Sequence, residues 1–122
     1  MKRFYKTVGV VPAIERLSPS PAIARALRDL QCDEPRLATA GFYEPSLVFL
    51  TRTDTLLTDG AGAAEFLRQG PCRIVSVERR QLQNFLQRAD SSGLRYDAIG
   101  RIEGINPGRG RRVTISMFRS RQ

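Results

Sequence analysis

The most informative stretch of this chain is Arg73-Ile74-Val75-Ser76-Val77, an apolar run dominated by β-branched residues. Isoleucine and valine favour strands because their branched side chains pack well on a pleated surface. A near-continuous run of this kind is typical of a parallel strand that is buried on both faces. A helix is predicted directly after it, with an apolar stripe at helical spacing and Gly93 at its end. The stripe consists of Leu82, Phe85, Leu86 and Ala89.

Helix and strand patterns alternate upstream of this unit. Ser20 is predicted to cap a first helix, which has Pro21 at its first position and ends near Gln31. Short strands are predicted over residues 36–41 and 54–58. Each of these strands is followed by another helical pattern, so the chain repeats a strand–helix order.

The second and third helices have clear start signals. Pro45 suits the first position of the second helix, and Asp59 suits the N-cap of the third, which is expected to end at Gly70. The residues expected to face the core are Leu47, Val48 and Leu50 in the second helix and Ala63, Phe66 and Leu67 in the third.

After Gly93 the periodicity changes from helical spacing to strand alternation. Residues 96–102 predict a strand, with glycine breaks at Gly100 and Gly104, and residues 106–110 form a loop. The alternation that follows predicts a half-buried strand, so the chain is expected to end in a β-hairpin. Val113, Ile115 and Met117 alternate there with Thr114, Ser116 and Phe118.

Together these elements predict an α/β fold with three layers. Strands separated by helical segments of about ten residues imply right-handed crossovers, and therefore a mostly parallel sheet of about five strands with helices on both faces. The C-terminal antiparallel hairpin is expected to add the edge strand. We expect a single α/β domain over residues 18–122, preceded by a lead-in over residues 1–17.

The composition is that of a folded, strongly basic domain. The chain has 122 residues, 41% of them apolar, and a formal net charge of +8. Eighteen of its 20 cationic residues are arginine, which favours flat bidentate contacts to phosphate or carboxylate. A charge excess of this kind raises affinity for anionic partners, yet a solvated basic surface explains it equally well. No apolar run is long enough to span a bilayer, and Pro12 interrupts the apolar part of the lead-in.

The sequence offers no recognisable catalytic or metal-binding set, because histidine is absent and the spacing of Glu44, Asp54, Asp59 and Glu78 does not make them an acid–base set. The sequence contains no histidine, which removes the usual general base near neutral pH and makes a zinc site improbable. The turn Asp59-Gly60-Ala61-Gly62 is similar to a dinucleotide fingerprint, but Glu65 stands where the third glycine belongs. We therefore expect no catalytic residues, no metal and no cofactor.

Arginines cluster around the predicted hairpin loop. Arg109, Arg111 and Arg112 form the densest basic patch, and guanidinium groups are good phosphate ligands. They are candidate contacts for the phosphates of lipid or nucleic acid, although a solvated hairpin is at least as good an explanation. The stacking platform of a single-strand nucleic-acid binder is missing, because aromatic residues are not interleaved with these arginines.

One decapeptide carries a family resemblance. The stretch Gly41-Phe42-Tyr43-Glu44-Pro45-Ser46-Leu47-Val48-Phe49-Leu50 resembles the tail domain of membrane glycosyltransferases related to the 4-amino-4-deoxy-L-arabinose (lipid A) transferase and the protein mannosyltransferases. The similarity continues through residues 53–55 and 59–67, and through shorter pieces up to residue 118. The motif residues are Tyr43, Glu44, Pro45, Ser46, Asp59, Gly60 and Gly62.

The resemblance implies an accessory domain rather than an enzyme. Members of that family carry their catalytic carboxylates in a membrane portion, where polyprenyl-phosphate sugars serve as donors for modification of cell-envelope glycolipids or polysaccharides. Their tail domain covers this membrane cavity on the periplasmic side of a bacterial inner membrane. By resemblance, the partners are the parent membrane domain and an anionic lipid or polyprenyl-phosphate sugar. Residues 1–17 are then the end of a membrane helix in the parent protein; the alternative is a tag or linker. The isolated domain is expected to be inactive and monomeric.

A second hypothesis follows from charge alone. The chain would then be a free-standing basic α/β module that binds nucleic acid or other anionic ligands.

The two cysteines are either separate buried thiols or a disulfide. Cys32 precedes the first predicted strand and Cys72 precedes the third. If the strand order is 2-1-3-4-5, these strands are neighbours about 4.8 Å apart, and a disulfide needs Cα atoms within about 7 Å. We therefore expect the sulfurs to be bonded or close enough to bond.

Overall fold

The computed structural model describes residues 18–51, 54–106 and 110–121 of the chain. The predicted lead-in, residues 1–17, lies outside this part. The described strands are β1 (Arg36–Ala40), β2 (Thr55–Thr58), β3 (Arg73–Glu78), β4 (Tyr96–Asn106) and β5 (Arg111–Ser120). The described helices are α1 (Ser20–Arg28), α2 (Pro45–Thr51), α3 (Gly60–Arg68) and α4 (Arg79–Ser92).

The fold is mixed α/β with one five-stranded, mostly parallel sheet in the order β2-β1-β3-β5-β4. Strand β1 pairs in parallel with both β2 and β3. Strand β5 runs antiparallel to both of its neighbours, β3 and β4. The predicted adjacency of β1 and β3 is therefore confirmed.

The position of the hairpin corrects the predicted strand order. The sequence placed the last strand at the edge, but β5 lies between β3 and β4, so β4 is the edge strand. Burial explains this arrangement. Ile115 and Phe118 of β5 are both buried but belong to different hydrophobic clusters, so β5 is covered on both faces, whereas β4 exposes Arg101 and Glu103. A strand covered on both faces belongs inside a sheet.

Sheet residues alternate between two hydrophobic clusters. Leu37 and Ile74 belong to the cluster that contains Ile23 and Leu27 of α1 and Leu47 of α2. Their chain neighbours Ala38 and Val75 belong to the other cluster, together with residues of α3 and α4. This alternation is the period of two expected of strands. The helical members of the second cluster are Ala63, Ala64, Phe66, Leu67, Phe85 and Ala89.

The start of α1 differs from the prediction. The N-cap is Pro19, without a side-chain cap, and the helix ends at Arg28 rather than near Gln31. Ser20 is fully buried, and its hydroxyl donates a 2.6 Å hydrogen bond to Oε1 of Glu44. The predicted capping role of Ser20 is therefore wrong, because a tertiary hydrogen bond takes the hydroxyl that would cap the helix.

Helix α2 buries less than its sequence predicts. Leu47 is fully buried, but Val48 and Leu50 are exposed at 36% and 39%. The helix has seven residues and follows β1, and it packs mainly against α1. Two turns present only a narrow stripe to a single neighbour, so the prediction that Val48 and Leu50 are buried is wrong.

The boundaries of α3 and α4 follow their start and stop residues. Asp59 caps α3 by accepting a hydrogen bond from the amide of Gly62, as predicted, and α3 ends at Arg68, before Gly70. Gly93 adopts the left-handed conformation, with φ 69°, at the C-cap of α4, also as predicted. Strand β4 continues through Gly100 and Gly104, so the predicted breaks are wrong, and only the register shifts between Ala98 and Gly100.

Candidate functional site

An open crevice of about 780 Å³ lies at the carboxyl ends of the parallel strands. Its lining includes Thr39 and Gly41 at the end of β1, Thr58 at the end of β2 and Glu78 at the end of β3. Strand β1 lies between β2 and β3 in the sheet. The chain therefore crosses from β1 to β2 on one side, while β3 lies on the other side. This is the position at which open α/β sheets bind ligands, since the connections diverge there and leave a gap.

The start of β5 forms one wall of the crevice. Ile115 pairs with Glu78, the last residue of β3, so residues 111–114 extend past the end of β3. Arg111 and Arg112 lie on this extension, and both line the crevice. The antiparallel insertion of β5 next to β3 therefore carries the two hairpin arginines to the carboxyl edge.

Helix α4 supplies two further arginines to the crevice. Arg79 and Arg80, its first two residues, also line the crevice. Arg80 is held by Glu78, whose Oε1 accepts hydrogen bonds from the Arg80 amide at 3.1 Å and from Nε at 3.0 Å. The Arg80 side chain is still 69% exposed, so most of its guanidinium remains open to solvent. Four arginines and one paired glutamate make this crevice strongly positive.

Thr39, which lines the crevice, belongs to a chain of buried hydroxyls. Ser76 donates a 2.8 Å hydrogen bond to the Thr39 hydroxyl, which donates at 2.6 Å to the carbonyl oxygen of Phe42. Thr39 and Ser76 are cross-strand partners on β1 and β3. The hydroxyls are thus paired with one another and with the backbone, and they fix the turn in which Gly41 takes φ 87°.

Sequence reasoning found part of this site. Arg111 and Arg112 were predicted as phosphate contacts and lie together in the crevice, while Arg109 lies outside the described residues. Arg79 and Arg80 were missed. The available signal was their position directly after a predicted parallel strand, since ligands of α/β sheets bind at strand carboxyl ends.

The motif residues of the decapeptide have different positions. Tyr43 is 46% exposed and lines the crevice. Oε1 of Glu44 accepts hydrogen bonds from the hydroxyls of Ser18 and Ser20, both at 2.6 Å, and so ties the start of α1 to the β1–α2 turn. Pro45 begins α2, and Ser46 follows it in that helix.

The glycines that follow β2 serve packing. A Cβ atom on Gly60 would lie 2.3 Å from the carbonyl oxygen of Gln81, and one on Gly62 would overlap the Thr58 hydroxyl. The amide of Gly60 donates to Oε1 of Gln81 at 2.9 Å, and that of Gly62 donates to Asp59. These amides are already engaged. Gly60 allows α3 and α4 to approach closely, whereas Gly62 leaves room for the Thr58 side chain.

Cys32 and Cys72 form a disulfide whose Cα atoms lie 5.9 Å apart. It lies at the amino ends of β1 and β3, opposite the crevice. Cys72 has φ 61°, a conformation that residues other than glycine rarely adopt, and its carbonyl accepts a 3.0 Å hydrogen bond from the amide of Arg36. The disulfide and this hydrogen bond hold the two strand starts together.

The crevice lined by Arg79, Arg80, Arg111 and Arg112 is suited to binding anions.

The described residues contain no group of three or more metal-ligating side chains, and none of their helices is long and apolar enough to cross a bilayer. Comparison with protein-family models, curated proteins and solved structures finds no match for this chain.

Proposed function

We propose that this chain is a non-catalytic extramembrane domain of a membrane glycosyltransferase, placed on the periplasmic side of a bacterial inner membrane. The parent protein would use polyprenyl-phosphate sugar donors to modify cell-envelope glycolipids or polysaccharides. The observation that carries the proposal is the crevice, which gathers four arginines and exposed Tyr43 around hydroxyls already engaged in structural hydrogen bonds. It can hold an anion but offers no histidine to activate a nucleophile.

Two further features support this proposal. The decapeptide that resembles the family forms one structural unit, because Gly41 turns the chain and Glu44 anchors the start of α1. The Cys32–Cys72 disulfide suits an oxidising compartment such as the periplasm.

We also propose the finer architecture of three layers. In this arrangement α1 and α2 cover one face of the sheet, and α3 and α4 cover the other. The support is the alternation of sheet residues between the two hydrophobic clusters.

The size and location of the native gene product test this function. A tag is added at the carboxyl end of the coding sequence in its own genome, and the cell fractions are blotted. We expect a product much larger than 13.7 kDa that stays in the membrane after an alkaline carbonate wash.

A tagged periplasmic and a tagged cytosolic protein control the fractionation. A soluble product at the mass of this chain would refute the glycosyltransferase assignment. It would favour the second function, a free-standing module for anionic ligands, which the arginine crevice also supports.

A further inference from the structure

We propose that the crevice is a phosphate site that takes a phosphate monoester or a diphosphate, with Arg79, Arg80, Arg111 and Arg112 as its ligands. This inference adds a ligand class to the proposed function. It rests on that function only for the source of the phosphate.

Arginines from distant parts of the chain converge on the crevice. Arg79 and Arg80 begin α4, whereas Arg111 and Arg112 begin β5 about thirty residues later. Like charges repel, so an accumulation of cations around one cavity without a counter-anion opposes folding. Glu78 offsets part of this repulsion through Arg80, and an added anion would offset the rest.

Guanidinium groups also fit phosphate. Each guanidinium offers parallel N–H donors in a fixed plane, which match two oxygens of a phosphate. A single carboxylate is satisfied by one such fork, whereas a phosphate or diphosphate has enough oxygens and charge for several. Two chain segments that each bring two arginines to the crevice therefore suit the larger anion.

The aromatic residues of the crevice do not suit single-stranded nucleic acid. Single-strand binders stack successive bases on aromatic side chains. Of the two aromatic residues that line the described part of the crevice, Phe42 is buried at 2% exposure and only Tyr43 is open. One exposed ring provides no platform for successive bases, so the crevice favours a compact phosphate.

The site also occupies the expected place in the fold. Ligands of open α/β sheets bind in the crevice at the carboxyl ends of the strands. Helix α4, with 14 residues, begins at this edge directly after β3. The charge of the arginines and the position in the topology thus point to the same ligand.

Calorimetric titration of the purified chain with inorganic pyrophosphate tests the inference at low ionic strength. We expect saturable binding that weakens with added salt, because salt screens exposed charges. The double variant Arg111→Gln/Arg112→Gln should weaken binding by about tenfold or more, since hydrogen bonds to charged groups contribute about that much.

The matched control is Arg95→Gln/Arg119→Gln. It removes the same charge, but Arg95 directly precedes β4 and Arg119 pairs with Ile74 near the amino end of β3, away from the crevice. At about 0.15 M salt we expect binding within about twofold of the wild type for this control, because exposed charges farther away than the Debye length of about 8 Å are largely screened. No saturable binding, or an equal loss in both variants, would overturn the phosphate site. Circular dichroism of each variant checks that the fold is retained.

Sedimentation with vesicles identifies the source of the phosphate. Phosphatidylcholine vesicles are compared with vesicles that contain phosphatidic acid, in the presence and absence of pyrophosphate. Retention on phosphatidic acid that pyrophosphate displaces assigns the crevice to a lipid phosphate. Pyrophosphate binding without retention assigns it to a water-soluble phosphate and leaves the phosphate site standing. Neither result alters the expected size of the native gene product.

Discussion

Gly60 has a packing role that its position after a strand does not reveal. The glycine begins α3, and the backbone of α4 passes so close that a Cβ atom would lie 2.3 Å from the carbonyl oxygen of Gln81 and 2.6 Å from the amide of Phe85. Real Cβ atoms do not come this close to backbone atoms. Gly60 therefore sets the approach of α3 to α4, and only indirectly the position of Arg79 and Arg80.

Gly60→Ala should destabilise the domain by about 1–3 kcal/mol, as overpacking does. Gly70→Ala is the matched control, because the nearest atom to its added Cβ would be Nε of Arg73 at 3.7 Å. That control should stay within about 1 kcal/mol of the wild type. Equal urea midpoints for the two variants would show that α3 and α4 do not pack in the way described.

At the level of elements, the aromatic contacts of α4 join it to the hairpin. The Phe85 ring stacks on Phe118 of β5 with centroids 4.6 Å apart, and it meets the edge of Tyr96 of β4 at 5.4 Å. Phe85 is fully buried. Packing of α4 and the insertion of β5 next to β3 are therefore linked through one ring.

Phe85→Ala should lower the free energy of unfolding by about 3–5 kcal/mol, the cost of truncating a buried aromatic residue. The control is Gln87→Ala, since Gln87 is exposed on the same helix. It should change stability by less than about 0.5 kcal/mol. An unchanged urea midpoint for Phe85→Ala would contradict the packing of α4.

Local sequence patterns predicted the helices and strands well, but they did not predict which elements and side chains lie next to one another in the fold. The stripe of α4 and the run of β3 were correct because burial of these residues follows directly from their spacing. Ser20 was misassigned because Glu44, its partner 24 residues away, competes for the hydroxyl. The place of β5 was missed because strand order depends on tertiary packing. For the same reason, the lining of one crevice by Arg112, Arg79 and Arg80 was missed. No local sequence pattern encodes which residues of distant segments line the same crevice.

At the scale of the molecule, the two ends of the parallel strands carry different features. The amino edge carries the Cys32–Cys72 disulfide, which ties the starts of two parallel strands. The carboxyl edge carries the arginine crevice. The disulfide and the crevice thus lie at opposite ends of the same pair of neighbouring strands, β1 and β3.

Reduction of the disulfide should destabilise the chain by roughly 3–4 kcal/mol, because the bond closes a loop of 40 residues in the unfolded state. The measurement is urea unfolding with and without a thiol reductant. The Cys32→Ser/Cys72→Ser variant serves as the control, since its stability should be low in both conditions and insensitive to reductant. A wild-type midpoint that reductant leaves unchanged would mean that the bond contributes nothing to the folded chain.

Whether the arginine crevice binds phosphate is tested by locating bound phosphate on the whole molecule. Amide chemical shifts of the labelled chain are recorded during titration with inorganic pyrophosphate. We expect saturable shifts concentrated at Gly41, Arg79, Arg80 and Arg112, with little change around Cys32 at the amino ends of the strands. Shifts spread evenly over exposed arginines, or no shifts at millimolar ligand, would contradict the assignment of the crevice as a binding site.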